Sequence, residues 1–251
     1  MKLLDAIAEK KNRLDRLRPL PAEALSKLEH YYDVEITYTS NAIEGNTLSP
    51  VETTLVIEQG VTIGGKPLKD HLEALDHYDA IRYVRELARQ RTSLTEYDVR
   101  NLHRLVVQRS RPDIAGRYAD LARYVRTDVG RHTFPSPAEI PALMGDFSRW
   151  LGAAPETPET AFTAHRRLVE IHPFNDGNGR TARLVMNLVL IRGGYPPLAV
   201  RPEDRPAYIR ALQRAQAGQG SESFDRLLFE RLDATLGEYL SALDEARAPG
   251  T

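Results

Sequence analysis

The chain has 251 residues, of which 34 are basic and 35 acidic, for a net charge of -1. With 41% hydrophobic and 27% charged residues it is typical of a soluble globular protein with a sizeable core, and the even charge balance argues against a nucleic-acid-binding surface spread over the whole protein. Because there is no cysteine, disulfides, thiol nucleophiles and thiolate metal sites are excluded.

The N-terminus and the apolar segments show no targeting signal. Asp5 and Glu9 interrupt the region where a signal peptide needs an unbroken apolar run, and the apolar stretch 184–191 is too short to span a bilayer. We therefore expect a cytoplasmic protein that makes no contact with a membrane.

Helical periodicity dominates the first hundred residues. Apolar residues recur on one helical face from Leu3 to Leu17, after which two prolines end the helix. Ser49-Pro50 is typical of a helix start, and Thr95 is a second N-cap candidate. Helices are predicted over 3–17, 22–43, from Ser49-Pro50 to Gly60, 68–90 and 95–108.

From about 110 to 137 the pattern changes, because proline, glycine and threonine become frequent and the apolar residues are too scattered for a helix. We predict a small hairpin or flap there, and we interpret 155–160 as a short connector. Helices are predicted again over 138–152, 160–171, 180–192, 203–217 and 222–246. The fold class is therefore all-α with a small β-hairpin, divided into an N-terminal helical region, 1–65, and a larger domain, 66–251.

The segment HPFNDGNGRTAR, residues 172–183, carries the chemistry. It joins two helices, so its glycines form a tight loop at a helix N-terminus, where free N–H groups and the helix dipole favour an anion. Arg180 and Arg183 oppose that dipole and repel each other, which indicates a bound anion that satisfies both. Phosphate is the obvious candidate, because a guanidinium group binds it bidentately.

Two further residues of this segment suit phosphoryl or nucleotidyl chemistry. His172 can accept a proton from an attacking hydroxyl when it is neutral. Asp176 is a lone carboxylate beside the expected phosphates, and Mg²⁺ is commonly held by one or two carboxylates together with phosphate oxygens.

The segment resembles the Fic family motif, H-P-F-x-[D/E]-G-N-G-R-x-x-R, at every fixed position. The resemblance extends over roughly residues 40–240 and implies the Fic fold and transfer of AMP from ATP to a Ser, Thr or Tyr hydroxyl of a protein, with release of pyrophosphate. It implies that His172 is the general base and that Asp176 holds Mg²⁺. It assigns the following residues to ATP binding: Asp176, Gly177, Asn178, Gly179, Arg180 and Arg183.

An upstream carboxylate points to regulation. Ser40 and Glu44 lie four residues apart on one helical face, and the negative charge of Glu44 at the end of that helix opposes the dipole. We therefore infer an ion pair between Glu44 and Arg183. The pattern S-x-x-x-E-G also resembles the Fic inhibitory motif, which implies an inhibitory N-terminal helix whose Glu44 occupies the γ-phosphate subsite.

Two more regions are assigned by the resemblance. Residues 124–137 correspond to the flap that aligns the target peptide, although they depart from the commonest flap patterns, and Val129 and Gly130 within them are counted with the ATP-binding residues. Tyr208 and Gln216, eight apart on one helix, correspond to the adenine pocket. The alternative for these two, a half-buried tyrosine and a solvated glutamine, stays open.

Several readings of the function follow. The first is a protein adenylyltransferase that uses ATP and Mg²⁺ to modify a hydroxyl-bearing protein, the chain itself included. In this reading the enzyme is autoinhibited by Glu44. The alternatives are removal of AMP from a modified protein, use of another nucleotide donor, or a nucleotide-binding regulatory module without catalysis. A homodimer is compatible with these readings.

Two histidines outside the motif are interpreted as unrelated to the site. His103 lies between Arg100 and Arg104, and we interpret that helix as a solvated face rather than a nucleic-acid contact, because acidic residues accompany the arginines. His165 is interpreted as structural, with no partner that the sequence identifies.

Overall fold

In the computed structural model, which describes residues 2–127 and 130–247, ten α-helices and one two-stranded antiparallel sheet account for the regular structure. The strands are β1, Tyr124–Thr127, and β2, Gly130–Thr133, and a 3₁₀ turn covers Pro202–Asp204. The helices are α1 Lys2–Arg16, α2 Ala22–Ile43, α3 Pro50–Gln59, α4 Leu68–Gln90, α5 Glu96–Val107, α6 Ile140–Ala153, α7 Pro158–Ile171, α8 Asn178–Arg192, α9 Arg205–Gln216 and α10 Glu222–Arg247. The predicted all-α fold with a small hairpin is confirmed.

The start signals in the sequence form real caps. Ser49 Oγ accepts from the Glu52 N–H and the Glu52 carboxylate accepts from the Ser49 N–H, which is a complete capping box. One predicted boundary is wrong. The expected connector 155–160 is half helix, because Thr157 Oγ1 caps α7 and Pro158 occupies its first turn.

Helix α8 is the centre of the fold. Its residues are buried on all sides, with Leu184, Met186 and Leu190 completely or almost completely inaccessible to solvent. A helix that is buried all round must have neighbours on every face. Helices α7, α4, α5 and α2 pack against it. The segment that precedes α8 is therefore held at the centre of the molecule and not on a peripheral loop.

The N-terminal helices share this core. Helix α1 packs against α10, where Lys10 Nζ lies 2.7 Å from an Asp233 carboxylate oxygen. Leu14 and Ile36 belong to the same apolar cluster as the residues of α8. The division at residue 65 stays a prediction, and the apolar core is continuous across it. Within the described ranges, no helix has the length and hydropathy needed to cross a membrane.

Replacing Leu14 with alanine should lower the free energy of unfolding by about 2–5 kcal/mol, since Leu14 is fully buried between α1 and the rest of the core. Urea unfolding monitored by circular dichroism measures this. The matched control is Leu4→Ala on the same helix, where the leucine is 47% exposed and a change within about 0.5 kcal/mol is expected. Equal effects of the two substitutions would show that α1 does not pack as described.

Candidate active site

The segment between α7 and α8 begins with a strained residue. His172 ends α7 in the left-handed conformation, with φ of 51°, and its N–H donates to the Leu168 carbonyl at 3.0 Å. A left-handed residue is a common way to end a helix, but it costs a non-glycine residue about 1–2 kcal/mol. The surrounding contacts must therefore hold His172 in place.

The hairpin supplies those contacts. The ring of Phe134, which follows β2, stacks on the His172 imidazole with centroids 3.8 Å apart and planes 13° apart. Arg123, which precedes β1, donates to the His172 carbonyl and, at 2.8 Å, to the Pro135 carbonyl. The predicted flap therefore also anchors the candidate base.

Burial sets the charge of His172. Burial, the larger cause, and the positive charge of Arg123 together lower the pKa of the imidazole to about 4 from the ordinary value of 6.5. The ring is therefore neutral at physiological pH. A neutral imidazole can accept a proton from a hydroxyl group.

Asn178 closes the segment into a rigid loop. Its side-chain amide donates to the Phe174 carbonyl at 2.7 Å, and its carbonyl accepts from the Phe174 N–H at 2.9 Å. The sequence assigned Asn178 to ATP binding. This buried side chain binds both the N–H and the carbonyl of Phe174, so it shapes the loop, and its backbone N–H at the start of α8 faces no helical partner.

The start of α8 presents unused donors. Gly177 precedes the helix with φ of 75°, no side chain caps the N-terminus, and the first helical bond runs from the Thr181 N–H to the Gly177 carbonyl at 2.9 Å. The N–H groups of the first three residues, Asn178, Gly179 and Arg180, therefore lack helical partners. This helix end has the unpaired N–H groups that the predicted anion site requires, and the binding of an anion there stays a prediction.

Arg180 is buried beneath that helix end, with 2% of its surface exposed. Its guanidinium lies 3.2 Å from Glu73 on α4 and 3.6 Å from Asp176. These two carboxylates compensate the positive charge of Arg180 near the positive end of the helix dipole. From the sequence, only a bound phosphate was expected to compensate it.

Arg183 and Glu44 form the inferred ion pair. Glu44 ends α2, and its Oε1 lies 2.7 Å from Arg183 Nη2. The pair brings together residues 139 positions apart in the chain. One boundary behind the inference is wrong, because α8 begins at Asn178 and Arg183 lies in its second turn, not its first.

Two further groups fix the Arg183 guanidinium, which is 3% exposed. Ser40 accepts from it twice, through Oγ at 2.9 Å and through its backbone carbonyl at 2.9 Å. Tyr208 on α9 accepts at 3.4 Å. Ser40 and Glu44 thus share one face of α2, as predicted, and both bind the same arginine.

The other predicted residues are placed less directly. Tyr208 is 1% exposed, and its hydroxyl lies 2.7 Å from His165 Nε2, so His165 has the partner that the sequence did not identify. Gln216 is half-buried at the last position of α9. Gly130 pairs with Thr127 at the tip of the hairpin. Val129 lies outside the described residues. The adenine-pocket and flap assignments of these residues stay predictions.

Asp176 fits a Mg²⁺ ion that takes most of its ligands from phosphate and water. Its carboxylate is 38% exposed and lies at the opening of the loop, with Oδ1 accepting from the Gly177 N–H at 2.6 Å. The described residues contain no cluster of three or more His, Asp or Glu side chains that would enclose a metal on their own. One accessible carboxylate beside an anion site is the arrangement in which Mg²⁺ bridges protein and phosphate.

One interpretation of the sequence is wrong. His103 was assigned to a solvated face, but it is fully buried and its Nε2 lies 3.0 Å from the Asp176 carbonyl oxygen. Arg100 and Arg104 are exposed as expected. The signal was available, because Val99, His103 and Val107 are spaced four apart on the inward face of α5.

Comparison with known proteins agrees with this geometry. The model of the Fic/DOC family matches residues 93–190. A solved Fic-domain-containing signaling protein from Bacteroides thetaiotaomicron is 30% identical, with a TM-score of 0.88 over 96% of this chain and 97% of that one. Fic-1 from C. elegans is 29% identical, with a TM-score of 0.85 over 98% of this chain and 73% of that one.

Curated relatives carry a functional name. The protein adenylyltransferase Fic of Nematostella vectensis is 37% identical over 96% of this chain, and that of Culex quinquefasciatus is 33% identical over 99%. The chain spans 56% and 49% of the length of these two proteins, about half of each.

The contact between Glu44 and Gly179 gives a first prediction. A Cβ at Gly179 would collide with Glu44 Oε1 and lie 3.1 Å from Arg183 Nη1. Gly179→Ala should destabilise the wild-type protein by about 1–3 kcal/mol. In a Glu44→Ala background it should be neutral or stabilising, because alanine favours a helix over glycine by about 1 kcal/mol. Urea unfolding of the four proteins measures this coupling, and additive effects would contradict the contact.

The pKa of His172 gives a second prediction. The pKa of His172 is about 4 in the folded protein, below the ordinary value of 6.5, so the unfolded chain takes up this proton first as the pH falls. The free energy of unfolding is therefore unaffected by this group above pH 6.5 and decreases as the pH falls towards 4. Between about pH 7.5 and 5, His172→Gln should therefore gain about 2 kcal/mol relative to the wild type. Denaturant unfolding at both pH values measures this. Parallel pH profiles of the two proteins would rule out the depressed pKa.

Proposed function

The chain belongs to the Fic/DOC family, and we propose that it is a protein adenylyltransferase that transfers AMP from ATP to a Ser, Thr or Tyr hydroxyl of a target protein. The observation that carries the proposal is the convergence of a neutral, clamped His172 with an uncapped helix N-terminus and the buried cations Arg180 and Arg183. The names of the curated relatives support the same reaction.

His172 acts as the general base in this reaction. Its neutral imidazole accepts the hydroxyl proton as the hydroxyl oxygen attacks the α-phosphorus of ATP. The bond from that phosphorus to the bridging oxygen breaks, pyrophosphate leaves, and AMP stays on the target as a phosphodiester. Phe134 and Arg123 hold His172 in its strained position, so little reorganisation is needed when the hydroxyl arrives.

The N-terminus of α8 receives the phosphates of ATP. The free N–H groups of Asn178, Gly179 and Arg180 donate to phosphate oxygens, and the helix dipole favours their negative charge. Arg183 takes the terminal phosphate once Glu44 leaves it. Asp176 would hold Mg²⁺, which neutralises phosphate charge when bound.

Glu44 inhibits this reaction. The contact between Glu44 Oε1 and Arg183 Nη2, at 2.7 Å, supports this role, because the terminal phosphate of ATP would need the same face of Arg183. A buried guanidinium can satisfy only one anion at that face, so Glu44 and a productively bound ATP exclude each other. If Glu44 favours the inhibited state by about 2–3 kcal/mol, basal transfer falls roughly 30- to 150-fold. Residues 1–65 thus form a regulatory region that acts on the catalytic domain, 66–251.

One observation also favours removal of AMP. The Glu44 side chain is 39% exposed, and only its Oε1 binds Arg183. Its second oxygen is available to orient a water molecule for attack on an AMP-modified side chain. Transfer to the chain itself belongs to the same proposal and is measured as label on the purified protein, while homodimerisation and use of another nucleotide donor stay predictions.

The expected result is that Glu44→Gly raises AMP transfer about 30-fold or more over the wild type. ATP labelled on the α-phosphate, with Mg²⁺, is incubated with the purified protein and a cell lysate, and protein-bound label is counted. Adding His172→Ala to Glu44→Gly should abolish the label, because the base is lost.

Glu44→Gln is the matched control, since it keeps the size of the side chain and removes its charge. If Glu44→Gln activates as well as Glu44→Gly, the inhibition comes from the ion pair with Arg183. If only Glu44→Gly activates, the inhibition comes from the space that the side chain fills. No label in any variant that still binds ATP would overturn AMP transfer, and release of AMP from a modified protein by the wild type would establish the removal reaction instead.

A further inference from the structure

His103 occupies a buried position directly behind the candidate ATP-binding loop. It lies on α5 with no exposed surface, and its ring stacks on Phe174 with centroids 3.7 Å apart and planes 2° apart. A Cβ at Gly177 would lie 3.4 Å from the same ring. The imidazole is thus packed flat against both ends of the 174–177 turn.

Two hydrogen bonds fix its tautomer. The Gly116 N–H donates to Nδ1 at 3.1 Å, so Nδ1 carries no proton. Nε2 lies 3.0 Å from the Asp176 carbonyl oxygen, which can only accept, so Nε2 carries the proton and donates it.

Gly116, which donates to His103 Nδ1, is itself held in place. The Gly116 carbonyl accepts from Arg100 Nε at 3.0 Å, and Gly116 has φ of 69°. A Cβ at Gly116 would lie 3.3 Å from both the Arg100 carbonyl oxygen and Arg104 Cβ. A continuous chain of contacts therefore runs from the surface of α5 through Gly116 and the His103 ring to the Asp176 peptide.

We propose that His103 is a positioning residue whose Nε2–H holds the Asp176–Gly177 peptide in one orientation. That orientation aims the Asp176 carboxylate at Mg²⁺ and the following N–H groups at the phosphates of ATP. This rests on the role of Asp176 in the proposed function. The Asp176 carbonyl and carboxylate belong to one residue, and the Gly177 N–H that bonds the carboxylate at 2.6 Å belongs to the peptide that His103 holds. Rotation of that peptide would move both groups.

If the His103 ring only filled space, its hydrogen bond to the Asp176 carbonyl would not be needed. An apolar side chain of similar shape could stack on Phe174, but it would leave the Asp176 carbonyl without a donor. Loss of a group that orients a metal ligand through a hydrogen bond typically changes metal affinity by about 10- to 100-fold. The donor and the acceptor of His103 can be removed separately, which distinguishes the two roles.

The test compares His103→Gln with His103→Asn, both in a Glu44→Gly background. Glutamine can place its amide N–H near the position of Nε2 and keep the bond to Asp176, whereas asparagine reaches only the position of Nδ1 and keeps the bond to Gly116. Each variant therefore loses one of the two hydrogen bonds and keeps the other. ATP binding is measured by calorimetry over a series of Mg²⁺ concentrations, and urea unfolding is measured alongside.

The expected result is that His103→Asn raises the Mg²⁺ concentration needed for half-maximal ATP affinity by about tenfold or more, while His103→Gln stays much closer to the parent. In AMP transfer, the asparagine variant should lose kcat more than the glutamine variant. Equal Mg²⁺ requirements of the two variants, or losses that follow their unfolding free energies, would overturn the proposal and assign His103 to packing.

Two provisions keep the outcome decisive. If neither His103 variant folds, nitrogen NMR of the Glu44→Gly parent labelled with ¹⁵N-histidine takes their place: a proton on His103 Nε2 whose resonance shifts when ATP and Mg²⁺ bind supports the proposal, and a proton on Nδ1, or an Nε2–H resonance that binding leaves unchanged, overturns it. Calorimetry does not depend on AMP transfer. A parent that binds ATP and Mg²⁺ without transferring AMP would therefore count against the proposed function and not against the role of His103.

Discussion

The structure depends on a buried guanidinium that must always have an anion. Arg183 is 3% exposed at the centre of the fold, where an unpaired cation would be costly, and Glu44 supplies the charge. This constraint fixes the place of α2 against α8, because Ser40 must also reach the same guanidinium. The N-terminal helices are therefore part of the site as well as part of the core.

The same constraint explains how one site can have two states. In the proposed function, Glu44 and the terminal phosphate of ATP compete for one face of Arg183. The exchange needs no large movement, only a change in the anion that Arg183 binds. The side chain of Glu44 is 39% exposed at the end of a helix, so it is the component that can leave.

The rest of the site is held rigid from three sides. The hairpin clamps His172 through Phe134, the Asn178 side chain closes the loop on itself, and α5 supports the loop from behind through His103. Their common effect is to hold His172 and the N–H groups of the α8 N-terminus in place, and in the proposed function this lowers the reorganisation that the reaction requires.

The sequence by itself determined the helices and the loop between α7 and α8, because periodicity and caps are local rules. It also led to the Glu44–Arg183 pair through charges that oppose helix dipoles, although Arg183 lies in the second turn of α8 and not in its first. Tertiary structure alone decided the contacts of His103, whose Nε2 lies 3.0 Å from the Asp176 carbonyl oxygen across 73 residues of sequence. Such contacts are set by how α5 packs on α8, a property of the whole core that no local pattern encodes.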